Sequence, residues 1–351
     1  GHGVHRTIDI AKRFKSMGKT VVLGGYMVSI MTEEGVKYAD AVLVGDVEDA
    51  WPAFLKDFEN GTIQSIYHMP LKHYAPPLPR YDLIVGKRIG AFLPVQAGRG
   101  CVNTCSFCSV ACLYESRYYT RPVAEVMRDI HEVKRLGFKQ FLLLDDNIFS
   151  NRAYTLELCK AITPLKMSWM TQCTITIGDD PELLSIIRKS GCLALSFGLE
   201  SISQASLNSM DKPWARVSDY RRLIKAVRDA DIQVSTEMVV GADGDTLESI
   251  RETANFITEL KIVVPRFYIL TPIPGTVFFH QMQSENRLYN QDIYTYNGAE
   301  AVHVPKNMTP DALTDAYWSL YREVFSYKSI LSRTLIQRHF WRHPLQSLFY
   351  L

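Results

Sequence analysis

The sequence predicts an α/β fold, in which a partial (β/α)6 TIM-type barrel follows a smaller Rossmann-like unit and precedes a helical extension. Apolar, strand-like runs alternate with amphipathic helical segments along most of the chain, which is the pattern of a parallel sheet. The stretch Y-A-P-P-L-P-R-Y-D is a stiff connector that interrupts this alternation. The sequence therefore predicts a Rossmann-like domain at 1–75, a proline-rich linker at 76–90, the barrel at 91–290 and a C-terminal helical extension at 291–351.

The first domain is predicted to consist of short elements. Apolar residues recur at helical spacing in 5–18, and apolar runs at 20–25 and 39–45 indicate two buried strands. The segment 49–61 has the pattern of a capped helix. Strands that alternate with helices favour a Rossmann-type parallel sheet, and glycines at the strand ends let a ligand approach the backbone.

The barrel is predicted from six apolar strand candidates separated by amphipathic helices such as 122–137. The candidates lie at 92–97, 140–145, 167–174, 193–199, 233–241 and 266–271. In βα-barrels the functional residues follow the C-terminal ends of the strands. We therefore expect the motifs found after these strands to share one active site.

Composition limits the class of protein. The hydrophobic share of 47% and the charged share of 22% are ordinary for a globular protein, and a net charge of +2 gives no reason to expect a nucleic-acid partner. Seven cysteines, some of them clustered, indicate metal ligation in a reducing compartment rather than disulfides. No apolar run is long enough to span a membrane and the N-terminus lacks the apolar stretch of a signal peptide, so a cytoplasmic location is expected.

One cysteine-rich run carries most of the chemical information. Residues 101–112 read C-V-N-T-C-S-F-C-S-V-A-C, so Cys101, Cys105 and Cys108 form C-x3-C-x2-C, with Phe107 directly before the third thiol. Iron–sulfur clusters are usually held by four cysteines, so a loop that supplies three leaves one iron open. Cys112 leaves an alternative open, because it could supply a fourth sulfur.

This spacing and the aromatic residue resemble the radical S-adenosylmethionine (SAM) superfamily. The resemblance implies a [4Fe–4S] cluster on the three cysteines, SAM on the fourth iron, a 5′-deoxyadenosyl radical as the reactive species, and an electron donor such as flavodoxin or ferredoxin. Three alternatives remain: a structural zinc site, a four-cysteine electron-transfer protein that uses Cys112, and a radical methylthiotransferase.

Acidic and amide residues follow the second strand as Asp145, Asp146 and Asn147. From the residues alone they could form a turn or a helix cap. In the family that the cysteine loop resembles, this position contacts the amino group of SAM, and a carboxylate beside an ammonium group is physically sensible.

The fourth strand ends F-G-L-E-S and is followed by L-N-S-M-D-K, which resembles the family segment G-x-E-S…L-x-x-M-x-K. The resemblance implies that Gly198 permits close approach, and that Glu200 and Ser201 contact the ribose or methionine part of SAM. A buried, unpaired Glu200 would be costly, so it needs a partner. Lys212 is expected to pair with an acid or to fix the loop.

The fifth strand ends V-V-G-A-D-G-D-T-L-E-S, which resembles the family segment G-x-P-G-E-T-x-E. The resemblance implies an adenine contact at Gly241 and Gly244 that depends on backbone more than on side chains. Thr246 or Asp245 is the expected helix cap. Of the remaining cysteines, Cys173 is the candidate for the barrel interior, although a core position is the simpler expectation.

The first domain resembles the C-terminal half of the cobalamin-binding domain that accompanies many radical SAM enzymes. V-V-L-G-G and G-D-V-E correspond to V-V-x-G-G and G-E-G-E, with Val47 in place of a glycine. The family's D-x-H-x-x-G loop has no counterpart, because neither His2 nor His5 fits it. Cobalamin is therefore a candidate cofactor whose binding the sequence leaves open.

The C-terminal extension is predicted to begin with a helix capped by Thr309. After Glu323 the chain is basic and amphipathic, with cations at Lys328, Arg333, Arg338 and Arg342. Such a tail either packs on the barrel with a solvated basic face or makes peripheral contact with an anionic membrane. The resemblance implies methyl transfer, cyclisation or rearrangement of a hydrophobic small molecule, lipid or natural product.

Overall fold

The computed structural model of the chain describes residues 3–68, 76–87 and 90–334. Within these residues the strands are β1 Val22–Leu23, β2 Ala41–Val44, β3 Ile66–His68, β4 Leu93–Gln96, β5 Gly98–Gly100, β6 Tyr118–Thr120, β7 Gln140–Leu144, β8 Ser168–Cys173, β9 Cys192–Glu200, β10 Gln233–Val240 and β11 Val264–Ile269. The helices are α1 Val4–Ser16, α2 Tyr26–Ile30, α3 Thr32–Val36, α4 Ala50–Asn60, α5 Ser109–Leu113, α6 Val123–Arg135, α7 Arg152–Ile162, α8 Pro181–Lys189, α9 Gln204–Ser209, α10 Tyr220–Asp229, α11 Leu247–Glu259, α12 Val277–Ser284, α13 Pro310–Val324 and α14 Tyr327–Thr334.

The largest sheet has six parallel strands in the order β11-β10-β9-β8-β7-β4. Every neighbouring pair in this barrel sheet is parallel, and helices connect successive strands, as parallel crossovers require. The prediction of a partial (β/α)6 barrel is confirmed. The C-terminal ends of all six strands lie at one end of the sheet, where the predicted motifs follow them.

Alternating side chains explain how the barrel sheet separates its core from its interior. On β8, Trp169 and Cys173 are buried in the main core, whereas Met170 and Gln172 line the barrel interior. Because side chains of a strand alternate between its two faces, Cys173 belongs to the face covered by helices. The simpler expectation of a core position for Cys173 is confirmed, and the alternative in which it faces the barrel interior is wrong.

Helix starts follow the predicted caps in two of three cases. Thr246 begins α11 with a capping box completed by Ser249, and Thr309 accepts a hydrogen bond at the start of α13. Asp49, by contrast, makes no side-chain capping bond to α4, which instead ends at Gly61 in the left-handed region, with φ of 72°.

The N-terminal unit, residues 3–68, contains a three-stranded sheet in the order β1-β2-β3. Its two parallel strand pairs, β1 with β2 and β2 with β3, are short. The sequence did not predict β3, because its apolar residue Ile66 is exposed and gives no buried pattern. Phe54 and Tyr67 are at the centre of its small core. The following linker is joined to the barrel by buried Tyr81, whose hydroxyl donates to the Pro94 carbonyl at 2.6 Å.

The C-terminal helices pack on the barrel beside α11. Arg333 is only 1% exposed, and it donates to the carbonyls of Ile262 at 2.6 Å and Val324 at 2.8 Å. The placement of Arg333 on a basic solvent or membrane face is therefore wrong, because its guanidinium satisfies buried carbonyls. Arg338 and Arg342 lie outside the described residues, as does His2. Among the described helices, none has both the length and the apolar character needed to cross a membrane.

Candidate active site

The cysteine loop, residues 101–108, lies between two short strands beyond the end of β4. β5 and β6 pair antiparallel on either side of it. Gly100 ends β5 with φ of +85°, and a Cβ there would collide with the Arg117 carbonyl, so only glycine fits. The Gly100 amide donates to Asp146 Oδ2 at 2.7 Å. An acid that follows β7 thus fixes the start of the cysteine loop.

The three predicted ligands share a partly buried environment. Cys105 is 9% exposed. Burial raises the pKa of its thiol to about 11, with Cys108 and Cys101 raising it further and Lys212 lowering it. Burial also raises the pKa of Cys108. Asn147 Nδ2 donates to Cys101 Sγ at 3.5 Å. The thiols therefore influence one another electrostatically, and their deprotonation needs a positive group such as a metal centre.

The predicted donor set consists of three thiols. A [4Fe–4S] cube distributes its ligands over separate irons, so three thiolates from one loop would leave one iron without a cysteine. Within the described parts of the chain, no group of three or more His, Cys, Asp or Glu side chains is arranged to hold one metal ion.

Cys112 stands apart from the other three thiols. It is exposed, and its Sγ contacts the Gly275 carbonyl at 3.1 Å. Burial alone raises its pKa, so the other thiols have no resolved influence on it. Phe107, in contrast, is partly buried and packs against the main core. The alternative in which Cys112 completes a four-cysteine site is disfavoured.

The three polar residues after β7, Asp145, Asp146 and Asn147, each hold a neighbouring segment in place. Asp145 Oδ2 accepts from the Tyr118 hydroxyl at 2.7 Å and Oδ1 accepts from the Asn147 amide at 2.9 Å. Burial raises the pKa of Asp145 to about 7. Asn147 Oδ1 accepts from the Thr174 amide at 3.0 Å, while Asp146 holds the cysteine loop. Asp145 therefore titrates close to neutral pH beside the cavity.

Glu200 is held in an unusual backbone conformation at the end of β9. Its φ is +64°, and the register between β9 and β10 shifts immediately before it. Lys212 Nζ donates to Glu200 Oε1 at 2.7 Å and to the Gly198 carbonyl at 2.8 Å, so the predicted acid partner is present. A Cβ on Gly198 would collide with the Glu200 carboxylate. Gly198 thus makes room for this buried ion pair.

Asp245 connects the ends of the fourth and fifth barrel strands, a role that the sequence did not reveal. It accepts from the hydroxyls of Ser206 at 2.5 Å and Ser201 at 3.3 Å, and from the amides of Gly241 and Ala242. Burial raises its pKa, and these hydrogen bonds lower it. The Asp245 carboxylate therefore joins Ser201 to Gly241. From the sequence, Asp245 was expected only as a possible helix cap.

Gly244 is packed closely against the start of α9. A Cβ there would come within 2.6 Å of the Ala205 carbonyl carbon and closer still to the Ser206 amide. The absence of a side chain at Gly244 therefore serves packing between the fourth and fifth strand ends, whichever ligand binds nearby.

A cavity of about 1040 Å³ occupies the barrel interior and extends to the N-terminal unit. Asp145 and Asp146 line it from the barrel, and Tyr26 and Asp46 line it from the N-terminal unit. Its volume is at the upper end of the range of about 300–1,000 Å³ that is typical of ligand pockets. Burial, with smaller contributions from the nearby Asp146 and Cys108, raises the pKa of Tyr26 to about 12. Arg99 and Asp146 line the cavity, and Asp146 binds the Gly100 amide, so the cavity lies beside the start of the cysteine loop.

Arg99 joins the N-terminal unit to the barrel at the rim of this cavity. It forms ion pairs with Asp46 at 2.7 Å and with Glu48 at 2.8 Å, and all three side chains are about 15% exposed or less. Tyr114 also donates to Asp46 Oδ1 at 3.1 Å. Asp46 and Glu48 of the G-D-V-E segment therefore hold Arg99, which directly precedes Gly100. The sequence motif did not indicate this contact.

The comparisons with known proteins agree with this geometry. Residues 95–257 match the model of the Radical SAM superfamily. Over 334 residues the chain is 29% identical to bacteriochlorophyllide d C-12(1)-methyltransferase of Chlorobaculum tepidum, and the match covers 92% of this chain and 73% of that protein. Over 238 residues it is 29% identical to the anaerobic magnesium-protoporphyrin IX monomethyl ester cyclase of Cereibacter sphaeroides, covering 66% of this chain and 38% of that protein.

A solved structure shows the same fold. The radical SAM methyltransferase TsrM from Kitasatospora setae, with cobalamin and a [4Fe–4S] cluster bound, matches with a TM-score of 0.66 at 16% identity. The match covers 81% of this chain but only 61% of that chain. The match to the Radical SAM superfamily model spans 163 residues, a little under half of the chain, and this segment carries the likeness to enzymes that use a [4Fe–4S] cluster and SAM.

Proposed function

We propose that the chain is the catalytic part of a radical SAM methyltransferase whose substrate is a tetrapyrrole. The observation that carries this proposal is the large cavity beside the cysteine loop and Asp145, in a chain whose relatives include a chlorin methyltransferase and a porphyrin cyclase. A macrocycle needs a cavity at the upper end of the usual range.

The proposal assigns roles to the residues described above. The sulfurs of Cys101, Cys105 and Cys108 would hold the cluster, Asp145 would accept from the amino group of SAM, and Glu200 would face its ribose or methionine part. When bound, the cluster and SAM supply one-electron chemistry at the sulfonium. The chain itself positions these groups and keeps water away from them.

Two further site contacts are part of the proposal. Ser201 would support the bound nucleotide together with Glu200, and the backbone near Gly241 and Gly244 would contact the adenine. Asp245 holds Ser201 and Gly241 in place, so it acts as a positioning residue. Phe107 would pack beside the cluster.

Cobalamin is proposed as the methyl carrier, bound by the N-terminal unit without a histidine ligand from the described residues. The His5 ring contacts the Tyr294 ring, with the centroids 4.7 Å apart and the planes tilted by 43°, so it is engaged elsewhere. Gly25 and Gly45 have positive φ values, and a Cβ at either would meet open space. That space accommodates a cofactor next to the strand ends.

A one-electron donor such as flavodoxin or ferredoxin completes the proposal. Peripheral membrane contact through the C-terminal tail has less support than the other parts of the proposal. Arg333 is buried, so it is not available on the basic surface that would contact a membrane. The cavity itself suits a hydrophobic small molecule whether or not a membrane delivers it.

The test is anaerobic reconstitution with iron and sulfide, followed by incubation with a chlorin, a reductant and SAM that carries a deuterated methyl group. We expect the labelled methyl group on the chlorin by mass spectrometry, only when cobalamin is present. The Cys105→Ala variant should give no product. Cleavage of SAM without methyl transfer would contradict the methyltransferase proposal and favour another radical reaction.

A further inference from the structure

The two sides of the barrel interior differ in the balance of their side chains. Across β7 and β8 the apolar side chains of Leu142, Leu144 and Met170 line the cavity together with Gln140 and Gln172. Across β9, β10 and β11 a polar wall of Ser196, Ser235 and Arg266 lines it beside Leu193, Ala194 and Val264. The barrel strands thus offer a substrate mixed surfaces, and the cationic one among them lies on the side of the polar wall.

Arg266 is the charged group of the polar wall. It lies on the edge strand β11, directly opposite Glu237 in the register of β10 and β11. Its Nη2 atom makes both of its contacts, an ion pair with Glu237 and a hydrogen bond to Ser196 Oγ at 3.0 Å. With the residues that the structure describes, Nη1 and Nε make no hydrogen bond, and the side chain is 47% exposed.

The neighbours of Arg266 fix its position without using all its donors. Glu237 is partly buried and its pKa is raised by burial, while Arg266 lowers it. Ser196 lies within 3.4 Å of the Ser235 hydroxyl, which donates to the Val264 carbonyl at 2.8 Å. A guanidinium whose hydrogen bond uses one nitrogen, on a side chain that is 47% exposed, retains donors for a second acceptor.

The other described cation that lines the cavity is already used. Arg99 forms ion pairs with both Asp46 and Glu48 at the opposite, N-terminal side of the cavity. Arg266 has a single carboxylate partner. An anionic group entering the cavity is therefore attracted toward the polar wall at the open edge of the barrel.

We propose that Arg266 binds a carboxylate of the substrate, so that the substrate is an apolar macrocycle with an acidic side chain directed toward the barrel's open edge. This inference rests on the proposed function, which it deepens by naming the substrate group and its recognition residue. The apolar face of the macrocycle lies on the wall formed by Leu142, Leu144 and Met170. The carboxylate then fixes which edge of the ring faces the cysteine loop.

The test uses pyropheophorbide a, a chlorin with one propionic acid side chain, and its methyl ester. Binding to the reconstituted protein in the presence of SAM is followed by quenching of chlorin fluorescence. Wild-type protein should bind the acid about tenfold or more tightly than the ester, the factor expected for loss of a charge-assisted contact. Arg266→Gln should remove this preference by weakening binding of the acid while binding of the ester is unchanged.

Matched variants separate recognition from folding. Arg221→Gln removes an exposed arginine that pairs with Glu259, and it should leave both affinities unchanged. Arg266→Gln combined with Glu237→Gln avoids an unpaired buried carboxylate, and it should show the same loss of preference. Arg266→Lys should retain part of the preference, because it keeps the charge but loses the planar fork.

The outcomes distinguish this inference from the proposed function. Equal binding of acid and ester by wild type, or an equal loss of both in Arg266→Gln, would overturn the role of Arg266 while leaving a tetrapyrrole substrate in place. Failure of wild type to bind either chlorin, with the cluster and SAM cleavage intact, would overturn the tetrapyrrole proposal and this inference together.

Discussion

The buried ion pair between Lys212 and Glu200 gives the sharpest test of how this site is held. Lys212→Met keeps a side chain of similar length but removes the charge that compensates Glu200. The two side chains are 6% and 10% exposed, so water cannot replace the missing partner. Removing one member of a buried pair costs about 3–5 kcal/mol of stability. The Gly198 carbonyl also loses a donor at 2.8 Å, so we expect a loss within this range rather than below it.

Urea unfolding of the apo protein, followed by far-UV circular dichroism under reducing conditions, measures this loss. Lys225→Met is the matched control, because Lys225 pairs with Asp229 while the two side chains are 75% and 62% exposed. Exposed pairs of this spacing contribute about 0.3–0.5 kcal/mol. Lys212→Met combined with Glu200→Gln should recover much of the lost stability, since the neutral amide needs no counter-charge.

Two results would refute this reasoning. If Lys212→Met destabilises the protein no more than Lys225→Met, the pair is not holding a desolvated charge. If the variant that also carries Glu200→Gln is less stable than Lys212→Met alone, the cost comes from lost packing against the Trp214 ring, 5.0 Å from Lys212 Nζ, rather than from an uncompensated carboxylate.

Four further predictions concern the cluster, the cosubstrate, the pH dependence of stability and the contact between units. Cys108→Ser should lose bound iron and sulfide after reconstitution, whereas Cys112→Ser should retain both; equal losses would restore the four-cysteine alternative. Because burial raises the pKa of Asp145 to about 7, SAM affinity measured by equilibrium dialysis should rise from about pH 6 to about pH 8, and Asp145→Asn should abolish this slope. Asp145 in the folded state also binds more protons than in the unfolded state between pH 3.8 and about 7, so its contribution to stability falls as pH rises through that window, and the fall measured for Asp145→Asn should be smaller than that of wild type. Arg99→Ala should increase protease cleavage within residues 76–90, and unchanged cleavage would show that the N-terminal unit is held by other contacts.

The sequence was sufficient for the barrel strands because each is an apolar run bounded by helices. For Glu200 it was sufficient to require a partner, since a buried acid in a strand needs a compensating group, but it did not join Glu200 to Lys212, which was expected to pair with an acid or to fix the loop. It did not reveal the role of Asp245, whose bond to Ser201 joins residues 44 positions apart. It also did not reveal the contact between Arg99 and Asp46, because ion pairs between separate units leave no local periodicity.

Other differences have equally local causes. β3 was missed because it has only three residues and its apolar Ile66 faces outward. Arg333 was assigned to a basic surface because basic and apolar residues interleave in this segment. A long side chain near the end of a helix can nevertheless turn inward and donate to unpaired carbonyls. Arg266 attracted no attention in the sequence, because a polar residue on an edge strand is ordinarily solvated. Its significance depends on the cavity that the sheet encloses.

The distribution of charge around the cavity gives an argument for the cosubstrate that does not depend on the cysteine spacing. Four acids, Asp145, Asp146, Glu200 and Asp245, lie at the C-terminal ends of the barrel strands, and Lys212 neutralises only Glu200 among them. The other three accept hydrogen bonds from hydroxyl and amide donors, and of these three Asp146 is also influenced by the positive charge of Arg99, which acts to lower its pKa. A ligand that carries a sulfonium and an ammonium group relieves this excess of negative charge, whereas a polyphosphate would increase it. Arg266 lies farther from these acids, toward the open edge of the barrel. The negative field of the acids favours a cationic cosubstrate at the strand ends, and it directs an anionic substrate group away from the strand ends and toward Arg266. Opposite charges at the two ends of one cavity would thus orient the two reactants relative to each other before any chemistry occurs.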